Sequence, residues 1–160
     1  MSISTLIYLL ARILHVALAA VWVGLLAFLA LLLLPAIKDT GPGAGSVMTA
    51  LIRRRLPVIN AMLGGITVLT GFWLYYRFTG GFDPAIAGSM PARVFGTGGV
   101  AGIIALILDG ALVGRNLKKL SGAAAPMEVA AARDRAARFA TIVLVLQVIA
   151  LACMAVAHYV

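Results

Sequence analysis

The sequence predicts an all-α protein, an integral-membrane bundle of four transmembrane helices forming one domain over residues 1–160, with both termini outside. Three observations lead there. Hydrophobic residues make up 63% of the chain and charged residues 11%, with a mean hydropathy of +1.10, which leaves too little polar surface for a soluble domain. The apolar residues gather into four runs, Leu6 to Ile37, Leu56 to Phe78, Val94 to Val113 and Phe139 to Val160. Each run reaches the roughly 20 residues that cross a hydrocarbon core about 30 Å thick. The cations, finally, collect in two of the three connecting loops.

The first helix is expected over about 6–37. Arg12 is the only basic residue near its start, and the run far exceeds the h-region of about 7 to 15 residues found in a signal peptide, so it reads as retained. Lys38 closes it as a stop-transfer flank. Gly41-Pro42-Gly43 breaks the chain before a second helix over 56–78, where Trp73, Tyr75 and Tyr76 form an aromatic belt. Gly80-Gly81 is the next breaker, and a third helix follows over about 94–115. Pro126 suits a first helical turn, and Ala-rich 130–138, with Asp134 and Arg138 at i,i+4, carries a fourth helix over about 130–160 from water into the membrane. None of the runs alternates polar and apolar residues as barrel strands do.

Loop charge sets the orientation. Residues 38–55 hold Lys38, Arg53, Arg54 and Arg55 against Asp39, and the later loop holds Arg115, Lys118, Lys119, Arg133, Arg135 and Arg138 against Glu128 and Asp134. Both are therefore expected in the cytoplasm, and the loop from Thr79 to Arg93 outside. The net charge of +8 then expresses topology in an inner (plasma) membrane, with the lipid bilayer and its anionic headgroups as partner and no nucleic acid.

His15, near the start of the first span, and His158, near the end of the fourth, fall in the same outer layer. Two imidazoles from different helices at one depth can hold the iron of a haem or a bare metal, whereas an isolated His158 would simply lie among headgroups. Gly71, Gly96, Gly98, Gly99 and Gly102 leave room for a flat macrocycle or for close helix packing, Gly98 and Gly102 being a small-xxx-small pair. Arg12, one turn before His15, is placed for haem propionates or for lipid phosphates, and Trp22 shares the His15 face. Met154 and His158, with Cys153 adjacent, make an alternative soft set suited to copper. In the inner half stand Asn60, Asp109 and Gln147; Asp109 is read as a structural group neutralised by Arg53 to Arg55, with a proton or ion relay as the alternative. No paired carboxylates, nucleophile motif or phosphate-binding glycine loop points to hydrolytic or phosphoryl chemistry.

The residues Leu14-His15, Trp22-Val23-Gly24, Phe28 and Pro35, then Arg53-Arg54 with Pro57 and Thr70-Gly71 with Leu74, resemble the membrane domain of copper-resistance protein D and its four-helix relatives. Part of the pattern also resembles the four-helix membrane protoporphyrinogen oxidase, a haem-binding enzyme with a functional histidine in its first helix. The resemblance implies that role for His15. The third helix lacks the lysine of that enzyme, and the aliphatic stretch after Gly24 departs from its aromatic and basic sequence. The reading that results is a small b-type haem protein for electron transfer, with His15 and His158 as axial ligands and Arg12 at the propionates; any enzymatic role would be that of an oxidoreductase. The alternatives are a copper-handling protein using His15, Met154 and His158, and a cofactor-free subunit packed against other membrane subunits or redox partners.

Overall fold

The computed structural model describes residues 2–40, 45–120 and 126–160. Four helices among the described residues are long and apolar enough to cross a membrane: Ile3–Thr40, Leu56–Phe78, Met90–Lys119 and Met127–Val156. They are called the first to fourth long helices. The first packs on the second and the third on the fourth, and the second–third and first–fourth contacts close the bundle. No strand occurs among the described residues. Gly41-Pro42-Gly43 lies outside them.

The second long helix has the ends expected from hydropathy, and the other boundaries move for local reasons. Ser2 caps the first, its hydroxyl accepting from the Thr5 N–H at 3.2 Å, so that helix begins at Ile3. The third begins at Met90 because Ser89 and Pro91 suit a first turn that hydropathy does not register. The fourth ends at Val156, which leaves His158 in the turn beyond it rather than on a helical face with Met154. Its basic start also pairs differently from the expected i,i+4 bond: Asp134 meets its neighbour Arg133, at 3.0 Å, not Arg138.

Two long helices widen locally into π turns. Leu29–Leu33 is one, directly before Pro35. A proline inside a helix lacks an N–H and clashes with the preceding turn, and widening that turn lets the helix continue to Thr40. The other, Asp109–Gly114, begins at the one acidic residue of the third apolar run.

Among the described residues, two short helices sit in the connections. Gly45–Arg53 buries Met48 in the core and turns into the second long helix through Arg55, whose φ is +60°. Pro84–Ala87 is capped by Asp83, whose carboxylate accepts from the Ala85 N–H. Before it, Gly80, Gly81 and Phe82 are consecutive left-handed residues, with φ of +63°, +85° and +65°. Glycine adopts this conformation freely but phenylalanine does not. The Phe82 ring packs at 5.4–6.1 Å from Tyr76, Phe72 and Tyr75, and its N–H donates to the buried Thr79 hydroxyl, which together hold the turn.

The interior combines Trp22, Leu26, Leu29 and Leu34 of the first long helix with small residues of the fourth, Ala132, Ala136, Ala140 and Val143. Small side chains let helices approach closely, the mode of packing that works where lipid removes the hydrophobic drive between helices. The outside is apolar: Ile13, Leu32, Leu69 and Ile107 are each at least 60% exposed. A water-facing surface of this kind would aggregate.

Glycines mark the close approaches. A Cβ on Gly98 would lie 2.9 Å from Cys153 Cβ and 3.2 Å from the Ala150 carbonyl oxygen, whereas one on Gly99 would meet nothing within 4 Å. Gly98→Ala is therefore expected to lower the thermal midpoint of detergent-purified protein by several degrees. Gly99→Ala should leave it unchanged or raise it, since helix propensity favours alanine by up to about 1 kcal/mol. A thermal unfolding series on the two variants checks the contrast.

Candidate functional site

The apolar bundle holds two polar places. The first is built on His15. Its Nδ1 lies 2.9 Å from the Thr67 backbone oxygen and 3.2 Å from the Thr70 hydroxyl. A carbonyl can only accept, so Nδ1 carries the hydrogen, and in the neutral ring Nε2 presents its lone pair. The Thr70 hydroxyl, on the same turn of the second long helix, shares its one hydrogen between Ile66 O at 2.8 Å and Thr67 O at 3.0 Å. Gly71 makes the approach possible: a Cβ there would lie 2.7 Å from His15 Cε1. The ring is half-buried, and Nε2 has no hydrogen-bond partner among the described residues.

The second place is centred on Asp109. Its Oδ2 accepts from the Trp22 indole Nε1–H at 3.1 Å and from the Asn60 Nδ2–H at 2.5 Å. These residues come from the first, second and third long helices. Asp109 is 2% exposed and Asn60 4%. Gln147, on the fourth, is equally buried, and neither of its amide atoms has a partner among the described residues. Asp109 Oδ1, Asn60 Oδ1 and Thr67 Oγ1 are likewise buried without partners. Every long helix thus contributes a polar side chain to the interior. The Asp109 carboxylate is held by two neutral donors, not by the Arg53 to Arg55 cluster.

The remaining candidate residues are dispersed. His158 is exposed and its ring packs edge-on against Phe95 at 5.3 Å, and Phe95 in turn meets Phe78 at 5.2 Å. His15 sits on Gly71 and His158 on Phe95, and no contact joins the two histidines among the described residues. The structure does not bring them together. Gly71 is covered by the His15 ring, and Gly98 by Cys153 and the Met154 methyl group. Gly102, in contrast, has open space where a Cβ would stand, and so does Gly99. Gly96 lies against the Tyr75 hydroxyl. Arg12 is exposed, with no hydrogen bond or ion pair among the described residues. The Trp22 ring is buried over Gly64 and its N–H binds Asp109. In the aromatic belt, Trp73 packs with Tyr8 at 6.4 Å and lies under the Arg77 guanidinium at 6.0 Å.

Among the described residues no three His, Cys, Asp or Glu side chains gather as a metal cluster. What the arrangement supplies is one oriented imidazole. Reading residue types missed Thr67, because its contribution to His15 is a backbone oxygen. The link between Trp22 and Asp109 did have a signal: a buried indole N–H needs an acceptor, and Asp109 is the only carboxylate in an apolar run. No family model, curated protein or solved structure matches the chain.

Proposed function

We propose that the chain is an integral inner-membrane protein of the copper-resistance D type that binds haem b through His15 and passes electrons near the outer face. One observation carries the reading: Nδ1–H of His15 is held by the Thr67 carbonyl while Nε2 is left without a partner. A backbone acceptor on the far nitrogen fixes the tautomer and raises the basicity of the ligating one, the usual support of a metal-bound histidine. The haem would supply a one-electron iron couple. Thr70 and Gly71 position the ring, and Arg12, exposed one turn away, supplies a cation for carboxylates. His158 packs on Phe95 and not beside His15, so the reading rests on His15.

The positive-inside bias supports an orientation with the two basic loops in the cytoplasm and both termini outside. Copper is a second reading, in which Met154 of the fourth long helix and His158 of the turn beyond it would supply a thioether and an imidazole.

The test is a reduced-minus-oxidised absorption spectrum with metal analysis on detergent-purified protein and its His15→Ala variant. A Soret band and sharp α-band are expected in the parent. Both should be lost in a variant that keeps its helical circular dichroism. No Soret band with about one copper per chain would replace haem by copper, and neither would leave a cofactor-free subunit of a larger membrane complex.

A further inference from the structure

A cavity of about 460 Å³ opens where the first and fourth long helices meet at the basic end of the bundle. Its floor is apolar, formed by Leu34, Pro35 and Ala137, and Lys38, Arg133 and Arg138 also line it. One carboxylate faces these cations, that of Asp134, and its Oδ1 is taken by Arg133 at 3.0–3.1 Å. Lys38 and Arg138 have no hydrogen bond or ion pair among the described residues. Three cations and one anion leave a surplus of two positive charges around one concavity. Helices distant in sequence supply them, Lys38 from the first and Arg133 and Arg138 from the fourth.

We propose that this cavity is a binding site for a single anionic glycerophospholipid, with its phosphate between Lys38 and Arg138 and its acyl chains along the seam of the first and fourth long helices. The inference rests on membrane insertion of the bundle but not on haem binding. Position selects a lipid over a soluble anion: Lys38 is the first charged residue after Arg12, so it stands where the apolar span ends and lipid phosphates begin. Leu31 and Leu32, on the turn before the cavity, are 59% and 61% exposed and continue the apolar floor toward the hydrocarbon. A basic pocket between helices at the cytoplasmic interface is the chemistry that retains an anionic headgroup. Arg133 is already committed to Asp134, which leaves Lys38 and Arg138 as the phosphate-binding pair.

Native mass spectrometry of the full chain in detergent, with phosphatidylglycerol or phosphatidylcholine added, tests the site. One phosphatidylglycerol should be retained at least tenfold better than phosphatidylcholine. The Lys38→Gln/Arg138→Gln protein should lose at least fivefold of this retention, and Arg53→Gln/Arg54→Gln, which removes equal charge elsewhere at the same end, should keep it. Equal retention of the two lipids, equal loss in both double variants, or displacement by millimolar inorganic phosphate would each overturn the proposal; the last would assign the cavity to a soluble anion. Flotation of the parent protein with pure phosphatidylcholine vesicles separates the two levels of failure. A chain that does not float is not membrane-inserted, whereas one that floats without lipid preference loses this site alone.

Discussion

Asp109→Ala is expected to be among the most destabilising single substitutions in the chain. It removes the acceptor of two donors held deep in the bundle, the Trp22 indole N–H and the Asn60 amide, and leaves both without another acceptor among the described residues. A buried donor left unsatisfied costs about 1–3 kcal/mol, and hydrogen bonds between membrane helices lie toward the low end of such values. A total loss of about 2–4 kcal/mol follows. Asp109→Asn separates the hydrogen bonds from the charge, because its amide oxygen can still accept from both donors; it should retain most of the stability. Thermal unfolding in one detergent gives the comparison. Similar midpoints for the alanine variant and the parent would show that the three side chains do not hold the helices in register.

Gly64→Ala should rank next, through crowding rather than loss. A Cβ at this position would lie 2.7 and 2.8 Å from Trp22 Cε2 and Cζ2, and 2.9 Å from Leu106 Cδ1. Leucine can turn its end aside, but the indole cannot swing freely, since Nε1 is tied to Asp109. The methyl group must therefore part the first and second long helices or break the Trp22 hydrogen bond, at about 1–3 kcal/mol. Gly65→Ala, one residue on, meets nothing within 4 Å and should be neutral. Trp22→Leu combined with Gly64→Ala should cost less than the sum of the two single changes, because the smaller side chain frees the space the methyl group needs. Additivity in that cycle would mean that the indole does not press on Gly64.

The four-helix fold was legible because the burden of placing it lies on composition alone: about 20 apolar residues in a row specify a span whatever their order. Helix ends depend on finer chemistry. The Ser89-Pro91 start of the third long helix and the stop at Val156 turn on a proline in the first turn and on local backbone hydrogen bonds, which hydropathy averages away. The site was legible as a set of residues but not as a set of pairs. His15, Asn60, Asp109 and Gln147 stand out as polar groups in apolar runs, yet the joining of Asn60 to Asp109 through register, and of His15 to a backbone oxygen, belongs to three-dimensional packing. Gly71 and Gly98 illustrate the same limit. A glycine in a sequence announces space, but not whether a macrocycle, a histidine ring or a neighbouring helix fills it; here His15 fills one, and Cys153 with Met154 the other.

The bond from Trp22 to Asp109 also equips the molecule with an optical gauge. The chain has two tryptophans, and the second, Trp73, stands apart beside Tyr8 and Arg77. Replacing Trp73 with phenylalanine keeps an aromatic ring there and leaves a single tryptophan, whose indole N–H rests on a buried carboxylate. The wavelength of that emission would follow the state of the carboxylate and the distance between the first and third long helices, allowing the interior to be watched in a lipid vesicle without an added label.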